Sequence, residues 1–452
     1  MVPESPAPPS TLGNGEVQGS GKPSDESRVP GLVLVFSSGV PLCVALPLDK
    51  SSLELGREDP RLGSLDPRMS RRHTRVVFDG QHFVTTDLGS HNGSAVDGEV
   101  VTPQQPCVTR HLLRTADSLF LPVRDIRPFL SGSVLVNDGH VTGMAQKQIL
   151  HEVENAGRFG NPLHITGESG AGKEYLAKMY HRSGRFHDGR FVPVNCAAIP
   201  QGLAERLLFG ARRGSYSGAV EDSIGYIEAA ARGTLFLDEI ADLDLTTQAK
   251  LLRVLETKEL VPLGAWSSRT VDFLLCSATN KDLRVQVANG SFRQDLYFRI
   301  GRPAVTLPPL RKRPEEIPWI ISNVAKSVDE RLLVHATLVE KCLLRPWPGN
   351  VRELVVEVRT AAQTALSSGC ARVEASHLSV SAGTAFAEPK PESSETSSAT
   401  HLNREELAER ARISDALRQH HGNVSAAARA LGLHRTQFKR LMDRHQLDPQ
   451  RF

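Results

Sequence analysis

Two short stretches of the chain carry side chains suited to phosphate chemistry. In GESGAGKE, residues 167–174, Gly167, Gly170 and Gly172 let backbone N–H groups close around phosphate oxygens. Lys173 adds a positive charge that reaches the outer phosphates, and Glu168, Ser169, Ala171 and Glu174 complete the loop. The loop follows the apolar LHIT and precedes the helix-prone YLAKMYHR. That strand–loop–helix setting marks a Walker A nucleotide loop rather than a plain glycine turn. In GTLFLDEI, residues 233–240, an apolar strand delivers Asp238 and Glu239 to its C-terminal edge. Asp238 suits a magnesium ion as metal ligand, and Glu239 suits the orientation of an attacking water. The pair of motifs predicts an ATPase with ATP and Mg²⁺ as cofactors.

The remaining chain must supply the elements that position these groups. Its 452 residues allow about three domains. Hydrophobic content of 40% and charged content of 23% are ordinary for a globular protein. A net charge of +3 excludes a uniformly basic nucleic-acid binder, so any DNA-facing surface must be local. Six scattered cysteines without a C-x-x-C pair fit a reducing compartment and argue against a zinc site or a disulfide frame. The first thirty residues lack an apolar signal-peptide core, and no apolar run reaches the length of a membrane span. The expectation is a cytoplasmic protein with no membrane contact.

Composition changes along the chain divide it. Residues 1–30, rich in Pro, Gly and Ser, are expected to be disordered. Residues 31–128 hold short β-prone runs separated by the turns Asp79-Gly80 and Asp97-Gly98, which predicts an all-β sandwich. Residues 134–381 alternate strands with helical segments such as TTQAKLLRVLET, where Leu251, Leu252 and Leu255 share a face. That is α/β logic with a parallel sheet, becoming helical from about 311. A polar linker over 382–403 leads to a last helical unit over 404–452.

Within the central segment, nine ordered motifs resemble the AAA+ domain of bacterial sigma-54-dependent transcriptional activators. They are GESGAGKE, FVPVNCAAI, LFGARRGSYSGA, GTLFLDEI, LLRVLE, SATNKDL, FRQDLYFRI, LPPLRKRPEEIP and WPGNVREL. Glu174 then matches the Lys-Glu ending of that family's loop. The resemblance implies that Asn195 senses Glu239 and that Thr279 and Asn280 form sensor I. It implies that Arg293 and Arg299 are arginine fingers offered in trans, and that Arg352 is sensor II on the lid. Fingers used in trans imply a ring, in this family usually a hexamer. Gly214, Ser215, Tyr216, Ser217, Gly218 and Ala219 then form the loop that contacts sigma-54, GAFTGA in the family. Ser215, Tyr216 and Ser217 depart from that pattern; the ring and the hydroxyl survive and one methyl is lost, worth under about 1 kcal/mol.

The flanking modules carry resemblances of their own. LELGRED, MSRRHTRVVF and TDLGSHNGSAVDG resemble the forkhead-associated (FHA) domain, a phosphothreonine reader. The resemblance implies that Arg57, Ser70 and Arg71 ring the phosphate and that Asn92 holds the peptide backbone; His73 is read as structural and Gly93 as a turn. Residues 413–447 resemble the Fis-type helix-turn-helix, with Asn423 as N-cap and Ala426, Ala427, Ala430 and Leu431 as its apolar face. Six Lys/Arg and one Asp between 416 and 446 give a local net charge of +5. Arg435, Thr436, Gln437, Lys439 and Arg440 are the candidate DNA contacts.

The combined expectation is a multidomain chain: FHA sandwich, α/β AAA+ P-loop NTPase with a helical lid, and an all-α helix-turn-helix. Its expected partners are sigma-54 RNA polymerase, enhancer-like DNA, a phosphothreonine-containing protein and further copies of itself. The alternative left open is a DNA-binding, phosphopeptide-responsive scaffold that no longer engages sigma-54.

Overall fold

In the computed structural model, residues 28–62, 65–130, 132–137, 139–200, 202–215, 221–385, 404–445 and 447 are described. Residues 1–27, most of the expected linker, and Tyr216, Ser217, Gly218 and Ala219 of the expected contact loop lie outside them. The chain divides after Phe386 into two compact units.

The first unit opens with ten strands: β1 (Gly31–Ser37), β2 (Val40–Pro47), β3 (Ser52–Leu55), β4 (Thr74–Phe78), β5 (Phe83–Asp87), β6 (Ser94–Val96), β7 (Glu99–Val100), β8 (Pro106–Thr109), β9 (Leu113–Thr115) and β10 (Ser118–Val123). They build antiparallel sheets in the orders β2-β1-β10-β9-β6-β7 and β3-β4-β5-β8. Leu34, Leu55, Val76 and Phe120 fill the space between the sheets. At the β6–β7 turn, Asp97 and Gly98 both take positive φ (52° and 91°), as a two-residue hairpin requires.

Strand β1 departs from the usual antiparallel pattern of one wet face. All seven of its residues are buried. Leu32 and Leu34 point into the sandwich, whereas Val33, Val35 and Phe36 belong to a second core. A register shift between Leu34 and Phe36, against both neighbouring strands, breaks the alternation and turns Phe36 to the same side as Val35. Strand β10 divides likewise, Phe120 inward and Leu119 and Leu121 outward.

After the short helix α1 (Arg127–Leu130) and the hairpin β11 (Leu135–Asn137) and β12 (His140–Thr142), the α/β core begins. It comprises α2 (Met144–Phe159), β13 (Leu163–Thr166), α3 (Lys173–Ser183), β14 (Phe191–Asn195), α4 (Ala204–Phe209), α5 (Tyr226–Ala229), β15 (Thr234–Asp238) and α6 (Leu245–Thr257). There follow the hairpin β16 (Glu259–Leu260) and β17 (Arg269–Thr270), then β18 (Leu274–Thr279), α7 (Leu283–Ala288), α8 (Gln294–Ile300) and β19 (Ala304–Thr306). The parallel sheet runs β14-β15-β18-β13-β19. Leu251, Leu252 and Leu255 of α6 pack beneath it.

A helical lid completes the unit: α9 (Ile317–Val328), α10 (Ala336–Leu343) and α11 (Asn350–Ser367), with β20 (Leu333–Val334) paired to β21 (Arg372–Val373). Its apolar faces form one continuous core with the outer face of β1 and β10. Val33, Val35, Phe36, Leu119 and Leu121 share that core with Ile320, Ile321, Val339, Trp347 and Leu354. Each such side chain contributes about 1.5–3 kcal/mol by burial. The sandwich therefore rests on the lid.

The second unit holds α12 (Arg404–Gln419), α13 (Val424–Ala430) and α14 (Arg435–Arg444). Asn423 caps α13, its side chain accepting the N–H groups of Ser425 and Ala426 at 3.2 Å each. The buried alanines are Ala427 and Ala428, packed on Ile413, Leu417 and Phe438. The expected face is thus shifted: Ala430 is exposed and Ala426 only half-buried, because the three-helix packing turns α13 toward Ala428.

Candidate functional site

Four parallel strands end at one edge of the sheet, on Thr166, Asn195, Asp238 and Thr279. Open α/β sheets place their ligand sites at this edge. Between β13 and α3 the glycine loop uses conformations that other residues rarely adopt, with φ +73° at Gly170 and +110° at Gly172. A Cβ on Gly170 would come within 2.3 Å of the Gly349 carbonyl, so lid and loop touch backbone to backbone here. Helix α3 starts without a side-chain cap, leaving its N-terminus facing the loop.

Lys173 is buried. Its Nζ donates to the Gly167 carbonyl at 3.0 Å and lies 3.4 Å from Glu239 Oε1. The other Glu239 oxygen accepts from Thr279 Oγ1 and from the Asn280 N–H, both at 3.1 Å. Glu239 itself sits at φ +51°, a left-handed conformation that turns its side chain back over the strand ends. Burial raises the Asp238 carboxyl above its ordinary range while Lys173 pulls the other way. Two carboxylates, a buried ammonium and an uncapped helix N-terminus are thereby brought together.

Other expected residues fall in different places. Asn195 pairs with Asp238 in the β14–β15 register, and its side-chain oxygen accepts the Ala197 N–H at 3.0 Å. Glu174 is exposed and paired with Lys178 one turn along α3. Arg293 is ion-paired with Asp295 at 2.6 Å, and Arg299 donates to the Leu255 carbonyl, so neither reaches the phosphate loop of its own chain. Arg352 does reach it, its guanidinium 3.4 Å from Ser169 Oγ.

A polar seam between lid and loop escaped the sequence reading. Asn350, fully buried, donates to Glu168 Oε2 and the Ser169 carbonyl and accepts the Leu310 N–H. Arg311 forms a two-pronged bridge to Glu168 at 2.6 and 2.8 Å. Arg313, also fully buried, donates to the Ala171 carbonyl and pairs with Glu316 at 2.7 Å. Glu316 in turn accepts the Gly143 N–H ahead of α2. The charged run RKRPEE was the available signal, but charge runs usually mark solvated surface.

In the sandwich, Gly56 allows a close crossing: a Cβ there would lie 2.0 Å from the Arg71 carbonyl. The crossing sets Arg57 beside Ser70 and Arg71, with the Arg57 N–H donating to the Ser70 carbonyl. Among the described residues the Arg57 and Arg71 guanidinium groups have no side-chain partner and are exposed, whereas Arg72 and Arg75 are both held by Glu54. Ser70 Oγ accepts the His91 N–H. Asn92 donates to the Arg68 carbonyl at 2.6 Å. His73 is buried beneath, accepting from Ser70 N and bonding the Gly93 carbonyl, and burial lowers its pKa.

On α14 the side chains of Arg435, Thr436, Gln437, Lys439 and Arg440 are all exposed, while Phe438 and Met442, one turn apart, face the core. His434 bonds the Thr436 hydroxyl at 3.0 Å ahead of that helix.

Comparison with known proteins follows the same division. A model described as the sigma-54 interaction domain matches residues 141–306, the FHA domain model matches 53–119, and the model for bacterial regulatory proteins of the Fis family matches 406–445. The chain is 37% identical over 328 residues to the nitric oxide reductase transcription regulator NorR1 of Cupriavidus necator, covering 68% of this chain and 64% of that one. It is 35% identical over 293 residues to the transcriptional regulatory protein GlrR of Escherichia coli, covering 64% and 63%. It thus spans somewhat under two thirds of the length of these relatives. Among solved structures, NtrX from Brucella abortus in complex with ADP superposes with a TM-score of 0.50 at 28% identity, over 68% of this chain and 69% of that one. With the AAA+ strand-end site and the phosphate loop between them, the chain belongs at the level of its domains to three families: an N-terminal FHA domain, a central sigma-54 interaction domain and a C-terminal domain of the Fis family.

Proposed function

We propose that this chain hydrolyses ATP to remodel sigma-54 RNA polymerase at promoters, binds upstream DNA through α14, and is regulated by a phosphothreonine-containing protein at its FHA loops. The observation that carries the reading is the placement of Glu239. Thr279, Asn280 and Lys173 fix its carboxylate beside the glycine loop, the position required of a group that orients water against a γ-phosphate. The donor set fits ATP with magnesium. Backbone N–H groups of the loop and Lys173 would hold phosphates, and Asp238, already raised by burial, would be stabilised as an anion by a divalent cation. The nucleotide supplies the phosphoryl group; the chain's residues position it and the water.

Arg293 and Arg299 are engaged away from their own phosphate loop, which supports their use against a neighbouring copy. A closed ring, a hexamer in the reading adopted here, satisfies every such site at once. The loop at 214–219 would then touch sigma-54. Its three departures from the family pattern favour a second reading, a DNA-binding phosphopeptide-responsive scaffold that has lost that partner.

The test is retention of purified sigma-54 by the full chain with ADP and aluminium fluoride, against Tyr216→Ala. Retention that needs both the trap and Tyr216 supports the activator. ATP turnover without retention moves the reading to the scaffold.

A further inference from the structure

The FHA sandwich and the lid share one apolar core, whereas the lid meets the phosphate loop through the close backbone approach of Gly349 to Gly170 and the hydrogen bonds and ion pairs of Asn350, Arg311, Arg313 and Arg352. Separating lid from loop exchanges polar contacts for water. Separating lid from sandwich exposes Val33, Phe36, Ile321 and Val339. Any movement of the lid therefore carries the sandwich with it, and the polar seam is where the unit parts.

The phosphopeptide loops are wired into that junction. Asn92 is bonded to Arg68, whose guanidinium lies 3.1 Å from Asp117 Oδ2 at the β9–β10 turn and 3.4 Å from Asn92 Oδ1. Asp66, fully buried, accepts the backbone N–H groups of both Arg68 and Asp117, locking loop and turn together. Asp117 Oδ1, which also accepts from the Arg68 guanidinium at 3.2 Å, lies 4.0 Å from Nε2 of His335, the residue whose side chain caps lid helix α10. Further along the same interface, Arg114 of β9 donates to Glu340 of α10 at 2.8 Å. The other Glu340 oxygen is buried with no partner among the described residues, so that contact has an unmet hydrogen bond available to a shifted arrangement.

We infer that the FHA phosphopeptide site and the nucleotide site of one chain are thermodynamically coupled through the lid, with Asn92, Arg68, Asp117 and His335 as the contact route. This rests on the phosphothreonine reading of the FHA loops proposed above. A peptide that engages Asn92 competes for the bonds holding Arg68, which frees Asp117 from its present partner and alters the support of α10. The sandwich–lid body then settles differently against Glu168 and Ser169. By linkage the effect is reciprocal: nucleotide changes peptide affinity by the factor by which peptide changes nucleotide affinity.

The experiment uses the full chain. A nonapeptide library, random except for a central phosphothreonine, is passed over it, and the best-retained single peptide is labelled for anisotropy titration without nucleotide and with saturating ADP. The expected result is an affinity difference of about fivefold or more, falling to within about twofold in Asp117→Asn while the peptide still binds. Equal affinities in the wild type would overturn the coupling and leave phosphothreonine recognition standing. An undiminished difference in Asp117→Asn would overturn the route. If no phosphothreonine peptide is retained, the FHA reading fails and the inference falls with it. The wild-type titration decides the coupling by itself, so a misfolded variant does not shelter it.

Discussion

Lys173 Nζ and Glu239 Oε1 stand 3.4 Å apart at the mouth of the glycine loop, each largely withdrawn from water. Each charge therefore stabilises the other's burial, and the carboxylate is aligned by its neighbours rather than left to rotate. Glu239→Gln keeps that shape and removes the base. ATP turnover should fall by about 10²–10⁴-fold with nucleotide binding retained, measured by phosphate release and by titration with a fluorescent ADP analogue. Turnover above a tenth of the wild-type rate would remove Glu239 from the water-orienting role.

Among the described residues the exposed Arg57 and Arg71 guanidinium groups have no side-chain partner, and the proposed phosphothreonine recognition would use them. Arg71→Ala should weaken phosphothreonine-peptide binding by about 10–100-fold, the range of a charge-assisted hydrogen bond, while shifting stability by less than about 0.5 kcal/mol. Arg75→Ala, which removes a residue already bound to Glu54, should leave binding nearly unchanged. Equal losses in both variants would mean that general positive charge, and not the Arg57–Arg71 crossing, does the binding.

Because lid and sandwich share a core, damage to one should register in the other. Ile321→Ala on α9 empties a fully buried site, at a cost of about 2–5 kcal/mol. Hydrogen exchange should then quicken in β1 and β10 as well as in α9. Acceleration confined to α9 would show two separately stable bodies.

Acid should destabilise the first unit through buried histidines. His164 of β13 bonds Ser277 of β18 at 2.9 Å, and burial pushes its pKa down to about 4. The unfolded chain takes up this proton near the ordinary histidine value, while the native ring refuses it until far lower pH. The contribution is thus complete above about pH 6.5 and shrinks as pH falls toward 4, by about 1 kcal/mol at pH 5.5. Urea unfolding between pH 7.5 and 5.5 should show the decline, and His164→Gln should flatten that share of it.

In the second unit the roles of neighbouring residues should separate. Phe438→Ala removes the ring on which α12, α13 and α14 converge, costing about 3–5 kcal/mol, enough to unfold three helices of this size. Arg440→Ala should leave the fold intact and lower the salt slope of DNA binding by about one phosphate contact. Fluorescence anisotropy on duplex DNA at several salt concentrations, with circular dichroism as the fold control, distinguishes the two.

The nucleotide site was legible because its chemistry is local in sequence: a glycine loop behind one strand, two carboxylates behind another, and order along the chain sufficient to place them. The seam around Asn350, Arg313 and Glu316 was not, since its partners lie some 140 to 180 positions away and a charged run gives no sign of burial. In α13 the sequence offered several small apolar residues, and it is the packing of α12 and α14, through Ile413, Leu417 and Phe438, that puts Ala428 inward and leaves Ala430 outward. The run GLVLVF signalled a strand. It also carried the information that both faces are covered, which a one-sided reading of an antiparallel sandwich discards.

The displaced register at Val35 and Phe36 bears on how such a chain can be rebuilt. Receptor modules joined by a tether can be exchanged like cassettes, since neither side needs the other's surface. Here a foreign sandwich with an ordinary alternating first strand would leave apolar side chains of α9 and α10 facing water. Shuffling at residue 127 would therefore yield an insoluble motor unless β1 and β10 travelled with it. The loops that carry Arg57, Arg71 and Asn92 can drift on their own, but sandwich and lid must be inherited as one casting.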